Sequence, residues 1–220
     1  MDLIDVTPQG SDDREPVSDK ILTAPNIITF IRLLMIPVFF VLLMNGYDVM
    51  AAIVFGVTAA TDFLDGLVAR STHQVSRLGQ LMDPFVDRLL IITVVLALLL
   101  VGRLPLWTVI LVVARDVYML IGGAYLVGKW KVRVAVIYPG KVATALLMVG
   151  CAALLLNIPL IPGLGICDFS WLPGFNADPV GWGIWFIYAG IVMVIFTTIY
   201  YTVKGFEGIR LAKAKMESEA

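Results

Sequence analysis

The sequence predicts an all-α membrane protein of six transmembrane helices with both termini cytoplasmic. Three observations predict it. Sixty per cent of the 220 residues are apolar and 15 per cent are charged, where soluble domains carry about a quarter charged residues. Mean hydropathy is +0.92, which makes lipid the solvent of most of the chain. Six apolar stretches approach the roughly 20 residues that a helix needs to cross a bilayer.

The six stretches lie near 27–45, 50–69, 78–101, 104–127, 138–156 and 180–201. Pro37 and Pro84 fall within spans, where lipid-buried helices tolerate proline because neighbouring groups satisfy the freed carbonyls. Orientation follows from the basic residues. Arg70, Arg77, Lys129, Lys131 and Arg133 lie in loops on one side, together with the basic residues before span one and after span six. The opposite loops, 46–49, 102–103 and 157–179, contain only Arg103. The positive-inside rule therefore predicts that the basic side, with both termini, is cytoplasmic.

The predicted organisation has three parts. Residues 1–20 form an acidic tail, expected to be disordered. Residues 21–205 form the transmembrane catalytic domain, and 206–220 a polar cytoplasmic tail. The N-terminal tail has no apolar core behind a basic start, so it does not read as a signal peptide. Trp171, Trp182 and Trp185 suit the aromatic belt at the membrane surface. Cys151 and Cys167 belong to no CxxC or Cys/His cluster and read as inert thiols. His73, the one histidine, reads as solvated. Net charge is −1, and no nucleic-acid partner is expected.

Charges inside a span are costly and usually mark function. The second span ends in Thr61-Asp62-Phe63-Leu64-Asp65-Gly66-Leu67-Val68-Ala69-Arg70. Asp62 and Asp65, three apart on a helix, share a face with the small residues Gly66 and Ala69. The third span begins Gly79-Gln80-Leu81-Met82-Asp83-Pro84-Phe85-Val86-Asp87-Arg88, with Asp83 and Asp87 one turn apart. A short loop makes the two spans antiparallel neighbours, so four carboxylates are expected to converge at one end of the membrane. Such a cluster needs a cation, because like charges raise one another's pKa. Arg70 and Arg88 supply part of that charge. Oxygen ligands without His or Cys suit Mg²⁺, Mn²⁺ or Ca²⁺ rather than zinc, and four carboxylates suffice for two ions if some bridge them. A two-metal clamp stabilises a transferring phosphoryl group.

The stretch from Asp62 to Asp87 reads D-x2-D-G-x2-A-R-x8-G-x3-D-x3-D. It resembles the signature of the CDP-alcohol phosphatidyltransferases at every fixed position: Asp62, Asp65, Gly66, Ala69, Arg70, Gly79, Asp83 and Asp87. The six-span plan, Pro25-Asn26 and Arg32 look like that family too, so the resemblance covers roughly residues 20–205. It implies transfer of a phosphatidyl group from CDP-diacylglycerol to an acceptor hydroxyl with release of CMP. By position, Asp62, Asp65 and Asp83 would hold one metal and Asp62, Asp83 and Asp87 the second. The CDP-lipid contacts would be Asp62, Gly66, Ala69, Arg70 and Gly79, with Gly66 admitting the cytidine and Arg70 meeting the diphosphate. Asp87 would be the base that activates the acceptor. The resemblance also implies a homodimer in a bacterial inner or plasma membrane, with the active site facing the cytoplasm.

The acceptor is expected to be an anionic glycerol-type alcohol, with Arg115, Lys141 and Arg133 as candidate contacts. The bland reading of Arg115 is an ion pair with Asp116 or with one of the motif carboxylates. The run from Pro25 to Arg32, and Asp83-Pro84, look like the branch that uses glycerol 3-phosphate, which is placed first. Two features depart from it. Asp116 stands where that branch often has Glu, and Ala143 where it often has a second Lys. Arg115-Asp116 resembles the cardiolipin synthases, whose acceptor is phosphatidylglycerol. A competing class is a transporter with a carboxylate relay, which would space its carboxylates across the membrane rather than cluster them at one end.

Overall fold

A computed structural model describes residues 4–5, 24–72, 77–130, 132–134 and 137–219. Side chains are described except at 4–5, 24–25, 62–72, 77–81, 83–84, 133–134, 215–216 and 218–219. Six helices stand at the six predicted places: α1 (Ala24–Met44), α2 (Asp48–Thr72), α3 (Arg77–Leu100), α4 (Leu106–Trp130), α5 (Tyr138–Leu156) and α6 (Gly183–Glu219). Four two-residue strands complete the described elements. β1 (Ile4–Asp5) pairs antiparallel with β2 (Arg133–Val134), and β3 (Leu160–Ile161) with β4 (Val180–Gly181).

Four helices are long and apolar enough to cross a membrane among the described residues: Asn26–Met44, Leu106–Trp130, Tyr138–Leu156 and Gly183–Ala214. The described apolar part of α2, Asp48–Thr61, is shorter than a span. α1 is continuous through Pro37, as a membrane helix can be.

The chain forms two compact units. One comprises Met1–Asp13, Ile110–Leu147 and Tyr188–Ala220; the other comprises Arg14–Val109 and Met148–Ile187. In the second unit α1 packs on α2 and α3. Its buried face is Thr29, Arg32, Ile36, Phe39 and Leu43, the alternating three- and four-residue spacing of one helical stripe. Phe30, Ile31, Leu34 and Val38 point away and are exposed, as lipid-facing residues would be. α2 meets α1 with Ala51, Ala52 and Phe55, all buried. The Phe39 and Phe55 rings meet edge to face, with centroids 5.7 Å apart. α3 contributes Val86, Leu90, Val94 and Leu98, again one stripe.

Within the same unit α6 begins hard against α5. A Cβ at Gly183 would lie 2.5 Å from the Gly150 carbonyl oxygen and 2.7 Å from the Ala153 methyl. Only glycine fits there, the small-residue contact by which membrane helices approach closely.

Arg103 has a structural task. Its Nη2 donates to Asp48 Oδ2 at 2.6 Å, and its Nη1 donates to the carbonyls of Leu155 and Leu154 at 3.0 and 3.3 Å. It thus joins the start of α2 to the end of α5, where a cation satisfies orphan carbonyls and opposes the negative end of the helix dipole. Arg103→Ala is expected to destabilise the protein by about 2 kcal/mol, the worth of hydrogen bonds made by a charged donor. A thermal melt in detergent checks this; an unchanged midpoint would refute it.

Two features depart from the sequence reading. Within the acidic tail, Ile4–Asp5 is paired to β2, a contact no local pattern announces; the rest of the tail lies outside the described residues. α6 continues as helix to Glu219, well past the sixth predicted span, which ended near residue 201. The reason is its stripe. Ile187, Ile191, Val194 and Thr197 are buried, and Gly205, Gly208 and Ala212 carry the same side on to the helix end. Small residues bury well and score weakly in hydropathy.

Candidate active site

The motif positions fall where α2 ends and α3 begins. Asp62, Asp65, Gly66, Ala69 and Arg70 are in the last turns of α2, and Gly79, Asp83 and Asp87 in the first turns of α3. The backbone is therefore helical at each of them. The side chains of Asp62, Asp65, Arg70 and Asp83 lie outside the described residues, as does His73 altogether. Thr58 and Thr61, on α2 just before the motif, donate their hydroxyls to the Val54 and Thr58 carbonyls at 2.7 and 2.8 Å. They are satisfied within the helix.

Asp87 is described in full. Its Oδ1 accepts a hydrogen bond from Arg32 Nη1 at 2.8 Å. The pair joins α1 to α3 and is asymmetric. The Arg32 side chain is 1% exposed, whereas that of Asp87 is 42% exposed. The cation is locked inside the helix packing and the carboxylate looks outward. Arg32 lies on the same stripe as Ile36 and Phe39, which hold it from the C-terminal side. Such an arrangement fixes one oxygen of Asp87.

This partner was missed in the sequence, which offered Arg70 and Arg88 as the neutralising cations. One signal could have found it: a single Arg inside an otherwise apolar first span must face the protein and must have an anion.

The acceptor candidates belong to the other unit. Arg115 Nη1 donates to Asp116 Oδ1 at 2.8 Å, the bland reading of that residue. Asp116 is buried, at 8% exposure, and Arg115 is half-buried. Lys141 is exposed on the first turn of α5. Arg133 is in β2, with its side chain outside the described residues. Among the described residues no hydrogen bond or ion pair joins Arg115 to Lys141.

Among the described residues no three His, Cys, Asp or Glu groups gather as a metal site, and three of the four motif carboxylates are not in that set. What can be tested is the donor chemistry. The one described candidate ligand is an outward-facing carboxylate, backed by a cation rather than buried against carbon. The motif offers no nitrogen or sulfur. These donors fit a hard divalent cation.

Four helices of spanning length mark a membrane protein, and the aspartate positions gather at the junction of α2 and α3. Comparison with known proteins identifies the family. Residues 22–197 match the family CDP-alcohol phosphatidyltransferase. The chain belongs to that family, whose members use CDP-diacylglycerol and an alcohol acceptor in phospholipid biosynthesis, generally with divalent metals. It is similar to a Mycobacterium tuberculosis protein named "Putative cardiolipin synthase", 37% identical over 183 residues, covering 80% of this chain and 81% of that one. It is similar to a Streptomyces coelicolor protein named "Cardiolipin synthase (CMP-forming)", 34% identical over 64% of this chain and 68% of that one. It is also similar to a Bacillus subtilis protein named "CDP-diacylglycerol--glycerol-3-phosphate 3-phosphatidyltransferase", 28% identical over 72% of this chain and 91% of that one.

Proposed function

We propose that this integral membrane enzyme transfers the phosphatidyl group of CDP-diacylglycerol to a hydroxyl of phosphatidylglycerol and releases CMP. The observation that carries the chemistry is the Arg32–Asp87 pair: an outward-facing carboxylate near the start of α3, one oxygen of which accepts a hydrogen bond from a buried guanidinium. Asp87 takes the proton of the acceptor hydroxyl. The acceptor oxygen then forms a bond to the phosphatidyl phosphorus, the phosphoanhydride bond breaks, and CMP leaves with the bonding electrons. Asp62, Asp65, Asp83 and Asp87 are the residues that would hold two divalent ions, Mg²⁺ or Mn²⁺. When bound, these ions neutralise the diphosphate and the departing nucleotide. Gly66, Ala69, Arg70 and Gly79 line the CDP-lipid in this reading. Six spans, cytoplasmic termini, a cytoplasmic active site and a homodimer complete it.

The acceptor rests on two supports. The Mycobacterium relative named for cardiolipin synthesis is 37% identical over 80% of this chain, against 28% over 72% for the Bacillus relative named for glycerol 3-phosphate and 34% over 44% for a Mycobacterium relative named for phosphatidylglycerophosphate synthesis. Arg115-Asp116 is the dipeptide that resembles the former group. Glycerol 3-phosphate, placed first from the sequence alone, is the second reading, supported by the Bacillus relative and by the run from Pro25 to Arg32. In either reading Arg115, Lys141 and Arg133 are the proposed acceptor contacts.

The test is CMP release by purified protein given CDP-diacylglycerol with phosphatidylglycerol, with glycerol 3-phosphate, or with neither. Release with phosphatidylglycerol is expected. Release only with glycerol 3-phosphate reverses the acceptor assignment, and no release with either refutes the enzyme reading. Chelation is expected to abolish release, and added Mg²⁺ or Mn²⁺ to restore it.

A further inference from the structure

A furrow is lined by α4 and α6 within one compact unit. It is a cavity of about 570 Å³ between α4 and α6, floored by the buried Val132, and within the range of ligand pockets. Tyr118, Gly122 and Gly123 of α4 face Tyr201, Gly205 and Phe206 of α6 across it.

Its glycines are informative. Glycine is a poor helix former, yet α4 carries two in succession. A Cβ at Gly122 or Gly123 would meet nothing within 4 Å, whereas one at Gly205 would lie 3.1 Å from Leu126 Cδ1. Gly205 serves helix packing. Gly122 and Gly123 keep a space open that no described part of the chain fills.

The furrow is carbon-lined because its polar groups satisfy one another. Tyr118 Oη and Thr202 Oγ1 are 2.9 Å apart, and Tyr201 Oη accepts the Ile137 N–H at 2.9 Å. A second, shallower furrow of about 380 Å³ shares Tyr118 and Thr202 and adds Thr198, Ile199 and Val203. Two apolar furrows therefore meet at one bridge, as a two-chained ligand requires.

The helix ends beside the furrow supply charge. Lys129 of α4 has its Nζ 5.5 Å from the Tyr125 ring centre and 5.8 Å from that of Trp130. Lys213 of α6 reaches the same Trp130 ring at 5.9 Å. Two cations thus converge on one indole. No acidic side chain lines the furrow, and the nearby carboxylate of α6, Glu207, is taken by Lys204 at 2.6 Å. Aromatic rings flanked by lysines at the end of apolar helices form a site for an anionic lipid headgroup.

We propose that the α4–α6 furrow seats an anionic diacyl phospholipid, its chains along Gly122 and Gly123 and its phosphate at Lys129 and Lys213. This site is additional to the CDP-lipid and acceptor sites, and it stands whichever alcohol is the acceptor.

The test uses the full chain in detergent with chelator present. Native mass spectrometry compares dioleoyl phosphatidic acid, which lacks an acceptor hydroxyl, with dioleoyl phosphatidylcholine. Wild type is expected to retain one phosphatidic acid, with roughly tenfold or greater preference from two lysines. Gly123→Leu, which fills the furrow, is expected to lose the adduct of both lipids while its helical circular dichroism is unchanged. Lys129→Gln with Lys213→Gln, both exposed positions, is expected to keep an adduct but bind the two lipids equally. Equal retention by wild type, or an adduct that survives Gly123→Leu, overturns the proposal. Loss of a dimer in Gly123→Leu with lipid retention unchanged also overturns it and assigns the face to a second copy of the chain.

Discussion

Asp87→Asn is expected to lower kcat by roughly a thousandfold, within the range that a positioned general base contributes. The substitution is nearly isosteric. The amide oxygen can still accept the Arg32 hydrogen bond now made at 2.8 Å, so the α1–α3 junction should persist. What is lost is the capacity to take a proton and a charge. The expected pattern is therefore a collapse of CMP release with the melting temperature within a few degrees of wild type. Retained turnover would remove Asp87 from the mechanism. A large drop in melting temperature together with turnover would mark it as structural instead.

The second large effect is expected at Arg32. Arg32→Leu removes the guanidinium that meets Asp87 Oδ1 at the helix interface. Breaking a buried ion pair costs about 3–5 kcal/mol; the lower end applies, because Asp87 is 42% exposed. Turnover should fall by about a hundredfold as well, because the carboxylate loses the contact that fixes Oδ1. Arg32→Lys should recover part of both, keeping the charge and losing the planar fork. The double variant Arg32→Leu with Asp87→Leu separates the two roles. Replacing both partners by carbon restores most of the stability, while activity stays absent. A double variant no more stable than Arg32→Leu alone would show that the pair is not the reason for the loss.

The helices were legible because lipid imposes a simple rule: long apolar runs become helices, and the starts and ends follow the first polar residues. α5 matches residue for residue, and α1 ends one residue early. α6 was cut short because Gly205, Gly208 and Ala212 bury a side without raising hydropathy. The pairing of Ile4–Asp5 with Arg133–Val134 was invisible, since two residues carry no period and their partner is far along the chain. The motif was legible because its positions repeat within single helices. Arg32 was not assigned to it because a contact between α1 and α3 depends on how helices pack, which spacing within one helix does not record. The α4–α6 furrow was illegible for the same reason: paired glycines read as weak helix, and only the structure shows that nothing described sits against them.

The burial of Arg32 bears on biogenesis. α1 leaves the ribosome before α3, so its arginine meets the bilayer before its carboxylate partner exists. A lone arginine at mid-helix opposes insertion by about 3 kcal/mol on insertion scales. The rest of α1 offsets this, with a mean hydropathy of 2.6 over Asn26–Met44. The helix can thus enter first and wait, its charge unneutralised until Asp87 arrives. The ion pair that orients Asp87 therefore forms only after α3 has followed α1 into the bilayer, which ties the site's assembly to the order in which the helices are made.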